Sequence, residues 1–212
     1  DALSDQDMVN AQRTNLLDSR SPNPSVETLL HAFLPHKFID HTHANPILAL
    51  SNQPSGERLC FKIYGNNIGY VPYIMPGFAL AKKAFEVYQE NPNIAGLILH
   101  KHGVFTFADT AKKSYDQMIN LCNLAEKHIR NERRSSFVSI RLPKKTAKAY
   151  EIAPILRGLV VDERKPMVLD FRTSKQVRKF VDGTDILRYS QLGTVTPDHV
   201  IRTKPMPLVV PA

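Results

Sequence analysis

The stretch IAGLILHKHGVFTFADT, residues 94–110, decides how the chain folds. Two short apolar runs, Ile94–Leu99 and Val104–Phe107, are too brief for buried helices and read as buried strands. Gly103 marks the bend between them. Asp109–Arg130 follows at once as the longest helical stretch, with Tyr115, Met118, Ile119 and Cys122 as its apolar positions, joined by Leu121 or Ala125. Two strands and a long helix within about forty residues call for a sheet with helices packed on it.

Working outward, the same alternation continues. Upstream, Gly77–Gln89 reads as a helix closed by the Asn91-Pro92-Asn93 breaker. Leu59–Tyr64 and Ile68–Val71 read as two strands around a Gly65-Asn66-Asn67 turn. Pro46–Ser51 reads as a helix start with proline in its first turn, and Phe38–Thr42 as a strand. Val26, Leu29, Leu30 and Phe33 fall at helical spacing, so Ser25–Leu34 is expected as a short amphipathic helix capped by Ser25. Residues 1–24 form a lead-in with one short helix ended by the SPNPS breakers. From about Phe137 the chain is mixed and proline-punctuated, with a helix near Ala147–Leu156. The expectation is an α/β layered domain: a core over residues 1–135 and a basic extension of the same domain over 136–212.

Composition narrows the function classes. The 212 residues are 42% hydrophobic and 23% charged, which is globular, and no apolar run is long enough for a bilayer. The opening DALSDQDMVN lacks a signal-peptide pattern. Two cysteines, Cys60 and Cys122, make no disulfide framework, so a reducing cytoplasm is expected. Glycine occurs 9 times and first at Gly56, and neither GxGxxG nor GxxxxGK[ST] is present, which excludes nucleotide folds built on those loops. Charge is uneven: residues 1–110 carry 8 Lys/Arg against 10 Asp/Glu, and residues 111–212 carry 20 against 10. The densest basic stretch is Arg130–Lys148. With Phe137 as its one aromatic and no nucleic-acid motif, it reads as a solvated surface, not a nucleic-acid face.

Histidine carries the chemistry. Of 8 histidines, six lie between His31 and His102, and two pairs have HxH spacing: His41-Thr42-His43 and His100-Lys101-His102. In a strand, residues i and i+2 share a face, so each pair would present two imidazoles side by side. One pair plus one distant histidine matches the three protein ligands of a catalytic zinc site. His31, His36, His128 and His199 read as structural. His128 suits a helix C-terminus, and His199, in TPDH, suits a local cap or pair. Glu27, just ahead of the HTH strand and off the apolar stripe, is a carboxylate placed for ligand or base work, or for complementing a helix dipole.

Three phrases then stand in order: PSVETLLHAFLPHKFIDHTHANPILAL, VPYIMPGFALAKKAF, and IAGLILHKHGVFTFADTAKKSYDQMINLCNLAEKHI. Over about residues 20–130 they resemble the class II aldolase/adducin family, and TVTPDHVIRTKPMPLVV extends the match near the end of the chain. The likeness is to the aldolase part of the bifunctional rhamnulose-phosphate aldolase/alcohol dehydrogenase subgroup. It implies a central, mainly antiparallel sheet flanked by helices. It implies a divalent metal, usually zinc, with manganese or cobalt as alternatives, bound by His41 and His43 of HTHA and by His102 before Gly103. His100 becomes a residue that orients a ligand by hydrogen bond, or a plain strand residue. The acid/base glutamate of the PSxE context falls on Glu27. The PY…G tyrosine falls on Tyr73, a proton donor to the aldehyde half from a neighbouring subunit.

The implied reaction is retro-aldol cleavage of a ketose 1-phosphate of rhamnulose or fuculose type to dihydroxyacetone phosphate and an aldehyde. A homotetramer with active sites at subunit interfaces is implied too, with a sugar phosphate as the small-molecule partner and with neither nucleic acid nor membrane. An epimerase or dehydratase would keep the same site. A non-catalytic adducin-like binding module would lose the ligands, which this sequence retains. The family also supplies a Gly/Ser/Thr-rich phosphate-binding segment well upstream of the glutamate, whereas 26 residues precede Glu27 here and none is glycine. The domain is therefore expected to be cut short at its N-terminus, as part of a longer protein.

Overall fold

The computed structural model describes residues 3–132, 137–141, 147–161 and 167–210. They divide into two compact units: one within Asp1–Arg133 and Thr194–Thr203, the other within Arg134–Gly193 and Lys204–Ala212.

The first unit is a sheet between two helical layers. Its elements run α1 (Asp5–Thr14), α2 (Thr28–Phe33), β1 (Phe38–Thr42), α3 (Asn45–Ser51), α4 (Gly56–Tyr64), β2 (Ile68–Val71), α5 (Phe78–Glu90), β3 (Gly96–Leu99), β4 (Gly103–Ala108) and α6 (Ala111–Asn131). The strand order is β1-β4-β3-β2. β4 runs antiparallel to both neighbours and β2 lies parallel to β3, so the sheet is mainly antiparallel. The two strands read from residues 94–110 are its centre.

Every residue of β3 and β4 is buried, and alternate side chains serve opposite cores. Leu97, Leu99, Phe105 and Phe107 meet Leu30 of α2 and Leu80, Ala84 and Tyr88 of α5 on one face. Ile98 and Val104 meet Ile47, Cys60, Tyr64, Met118, Leu121 and Ala125 on the other. Each fully buried aliphatic side chain contributes about 1.5–3 kcal/mol, so these layers dominate the unit's stability. The buried Thr106 hydroxyl donates to the Ser114 carbonyl at 3.0 Å, tying α6 to β4 without an orphaned polar group.

Two expectations are corrected. Leu59–Tyr64 is not a strand but the end of α4. Its β-branched and aromatic residues suggested a strand, yet Cys60 and Tyr64, four apart, are buried together, with Leu59 and Ile63 packed beside them. That is helical periodicity. The helix expected from Ser25 begins at Thr28, with Glu27 in the cap position. Ser25 Oγ accepts from the Glu27 amide at 3.1 Å, so the chain turns before it coils.

The second unit is small. Its described residues hold α7 (Ala149–Leu159), α8 (Lys175–Val181) and α9 (Ile186–Tyr189), with a bridge between Ser139 and Gly183. Phe137, Phe180 and Tyr189 form its aromatic cluster, with ring centroids 4.8–5.6 Å apart. Of the basic stretch Arg130–Lys148, residues 133–136 and 142–146 lie outside the described residues. A final helix, α10 (Pro197–Arg202), belongs to the first unit. Among the described residues, no helix is long and apolar enough to cross a membrane.

Candidate metal centre

Antiparallel pairing sets the end of β1 beside the start of β4. The register pairs His41 with Phe105 and Thr42 with Val104. His43 therefore leaves β1 where His102 enters β4. His41 lies flat on its partner Phe105, ring centroids 4.1 Å apart and 14° from parallel. Gly103 makes the approach feasible. A Cβ there would sit 2.5 Å from the Thr42 carbonyl oxygen and 3.0 Å from both His41 Cε1 and His43 Cδ2. The glycine of the HG pair is thus explained by space, since any larger residue would push the two strand ends apart.

Glu27 arrives from the cap of α2. Its Oε1 lies 2.6 Å from His102 Nε2 and 3.5 Å from His41 Nε2. One ligand atom each from Glu27, His41, His43 and His102 can be chosen with all four within 4.8 Å of one another. His102 is buried at 4% exposure, and the other three are half-buried.

The outer nitrogens show what the inner ones can do. His41 Nδ1 lies 3.0 Å from the Val104 carbonyl, and His43 Nδ1 lies 3.2 Å from Asp198 Oδ2. Both partners are acceptors, so each Nδ1 carries the hydrogen and each neutral ring presents a bare Nε2. Those two Nε2 atoms face one another at 3.1 Å. Two lone pairs converging on one space are satisfied by a cation. Tetrahedral ligands at about 2.0–2.1 Å from zinc lie about 3.3 Å from one another, close to the separation here. Three imidazoles and one carboxylate fit zinc, cobalt and similar divalent ions.

Electrostatics agree with that geometry. Burial alone would raise the Glu27 carboxyl, but the His102 nitrogen at 2.6 Å and the His41 nitrogen at 3.5 Å hold it far below the usual carboxylate range. Burial, followed by the proximity of His41 and His102, lowers His43, and Asp198 pulls the other way. Burial also lowers His31, which meets Phe105 edge-on at 5.6 Å.

Two of the residues singled out from sequence, His100 and Tyr73, stand apart from the cluster. His100 and His102 do not lie in a strand. They occupy the tight β3–β4 turn, where Lys101 has a φ of 61°. That left-handed residue sends the two rings to different places. His100 donates its amide to the Val71 carbonyl at 3.0 Å and sets its ring 5.9 Å from Tyr70. Among the described residues, no side-chain hydrogen bond links it to the cluster. Tyr73, 50% exposed, lies under Lys101 Nζ, 5.5 Å from the ring centroid, and outside the cluster. Asp198 was not foreseen. No spacing rule ties it to a histidine 155 residues earlier, and the only signal was the TPDH phrase itself.

Fold and cluster together define an α/β protein with a His₃–Glu centre at one end of its sheet. The class II aldolase and adducin N-terminal domain matches residues 1–129, and the second domain of class II aldolases matches 147–212. The chain belongs to the class II aldolase/adducin family. It is 36% identical over 217 residues to the uncharacterized oxidoreductase YuxG of Bacillus subtilis (strain 168), a match covering 99% of this chain and 31% of that protein. The chain thus spans less than a third of that relative's length. It is also 43% identical to the N-terminal class II aldolase domain of a conserved protein from Thermoplasma acidophilum, with a TM-score of 0.56 over 61% of this chain and 59% of that one.

Proposed function

We propose that the chain is the aldolase part of a metal-dependent aldehyde-lyase. Its substrate would be a ketose 1-phosphate of rhamnulose or fuculose type, cleaved to dihydroxyacetone phosphate and an aldehyde. The observation that carries this reading is the convergence of Glu27, His41, His43 and His102 on one space.

His41, His43 and His102 would hold the ion. Being neutral, they leave its charge undiminished, whereas ligating carboxylates would reduce it. When bound, a divalent cation supplies positive charge against oxygens that become negative as the carbon–carbon bond breaks. Glu27 supplies the proton chemistry. In synthesis the ionised carboxylate removes a proton from the ketose carbon and so frees the electron pair that attacks the aldehyde; cleavage runs the same steps backward, the protonated carboxyl returning that proton to the carbon. The hydrogen bond with His102 that helps hold Glu27 ionised also aims it at the cluster.

Tyr73 is assigned to the aldehyde half in a neighbouring copy, where its hydroxyl would donate a proton to the aldehyde oxygen in synthesis and its oxygen would take that proton back in cleavage. Its half-exposed position outside its own chain's cluster supports delivery across an interface. A homotetramer with interface active sites, zinc as the ion and a cytoplasmic location complete the reading.

The test is a panel of ketose 1-phosphates assayed for aldehyde and dihydroxyacetone phosphate release by the full-length protein loaded with zinc. Release from one or more substrates is expected. Interconversion of sugar phosphates without fragmentation would instead assign an epimerase, and loss of water a dehydratase.

A further inference from the structure

We infer that Asp198 is a positioning residue for the metal site, carried to His43 by a C-terminal strap over residues 194–203. The inference rests on the reading that His41, His43 and His102 bind a divalent cation.

The two ligands of the first HxH pair are braced in different ways. His41 Nδ1 bonds a main-chain carbonyl, Val104, fixed inside the sheet. His43 Nδ1 bonds a carboxylate, Asp198, from a distant part of the chain. A carboxylate behind a ligating imidazole fixes its tautomer, holds its plane and raises its basicity. Removing such a partner typically weakens metal binding 10–100-fold.

The strap is built to deliver this carboxylate. Asn52 Nδ2, just past α3, donates to the Val195 carbonyl at 3.1 Å. Thr196 is buried at 6% exposure and stands extended at the cap of α10. Pro197 fixes the first helical residue, where its missing N–H costs nothing. Asp198 then falls in the first turn, facing His43. Residues 194–203 pack with the first unit, although the residues on either side of them belong to the second. The brace therefore comes from the stretch matched by the second-domain family, while the ligands come from the stretch matched by the first.

His43 is accordingly the ligand whose aim depends on the far end of the chain. Asp198's side chain is 48% exposed, so water competes for it, and the lower part of the 10–100-fold range is expected.

The experiment compares Asp198→Ala, Asp198→Asn, Asn52→Ala and His102→Ala with wild type in the full chain. Co²⁺ affinity is measured by chelator competition, the visible Co²⁺ spectrum is recorded, and thermal unfolding of the metal-free protein is followed. Asp198→Ala should weaken Co²⁺ about tenfold or more and shift the spectrum, while metal-free unfolding stays at the wild-type temperature. Asp198→Asn, which keeps an acceptor but loses the charge, should fall between. Asn52→Ala should move affinity in the same direction by less. Wild-type affinity and spectrum in Asp198→Ala would overturn the inference. So would an affinity loss matched by an equal loss of metal-free stability and absent from Asp198→Asn, since that marks a structural role only. Wild-type protein that binds no Co²⁺ would overturn the metal reading itself and this inference with it. Wild-type binding with loss in His102→Ala keeps the metal reading standing whatever Asp198 does.

Discussion

Two tripeptides of one spelling, His41-Thr42-His43 and His100-Lys101-His102, meet opposite fates. Thr42 ends a paired strand, so its flanking histidines share a face and their rings lie 4.8 Å apart. Lys101 has a φ of 61°, so its flanking histidines part, one to the cluster and one to Tyr70. Spacing fixes which atoms are near in the chain. The backbone angle of the middle residue fixes which are near in space. The first pair supplies two converging nitrogens, and the second supplies one, delivered by a turn.

That contrast is open to direct attack. The largest effect belongs to His102→Ala against His100→Ala. Metal analysis should find about one ion per wild-type chain, none with His102→Ala and nearly all of it with His100→Ala; the opposite pattern would reverse the assignment of the turn. Glu27→Gln should keep the metal and lower turnover about 10²–10⁴-fold, the usual worth of a positioned acid or base. Unchanged turnover would remove Glu27 from the chemistry. Gly103→Ala should part the two strand ends, costing about 1–3 kcal/mol in denaturant unfolding and weakening metal binding at the same time. Lys101→Val is the mildest. A β-branched residue held in the left-handed region should destabilise the chain by about 1–3 kcal/mol, whereas Lys101→Gly should be neutral or slightly stabilising. Equal melting of the two variants would show that the turn does not depend on that angle.

The central fold was legible because its strands are marked by two independent signals. Ile94–Leu99 and Val104–Phe107 are short, apolar and separated by glycine, and β1 and β2 fall on the residues expected from pattern alone. α4 was not legible. Cys60, Phe61, Ile63 and Tyr64 favour strands by type, and only the tertiary fact that Cys60 and Tyr64 are buried on one side makes the segment helical. Glu27, His41, His43 and His102 were readable together through the family resemblance, since the HxH spacing alone left open which pair supplies two of the histidines; the sheet register is what brings them together. The separation of His100 was hidden in a single dihedral angle. Asp198 was hidden for another reason: its contact with His43 is made by docking of the strap, which no local pattern encodes.

The 155-residue gap between His43 and Asp198 also has a meaning in time. A ribosome adding about 5–20 residues per second would need roughly 8–30 s to pass from one to the other. Every residue proposed to hold the ion is translated by residue 102, so the pocket could assemble while its brace is still unmade. An ion captured early would be held by a loosely aimed His43, free to exchange with competitors. Only when residues 194–203 emerge and dock would that exchange slow. On the proposed reading, the choice of metal in the mature protein would be decided late, after the nascent pocket had already sampled what the cell offers.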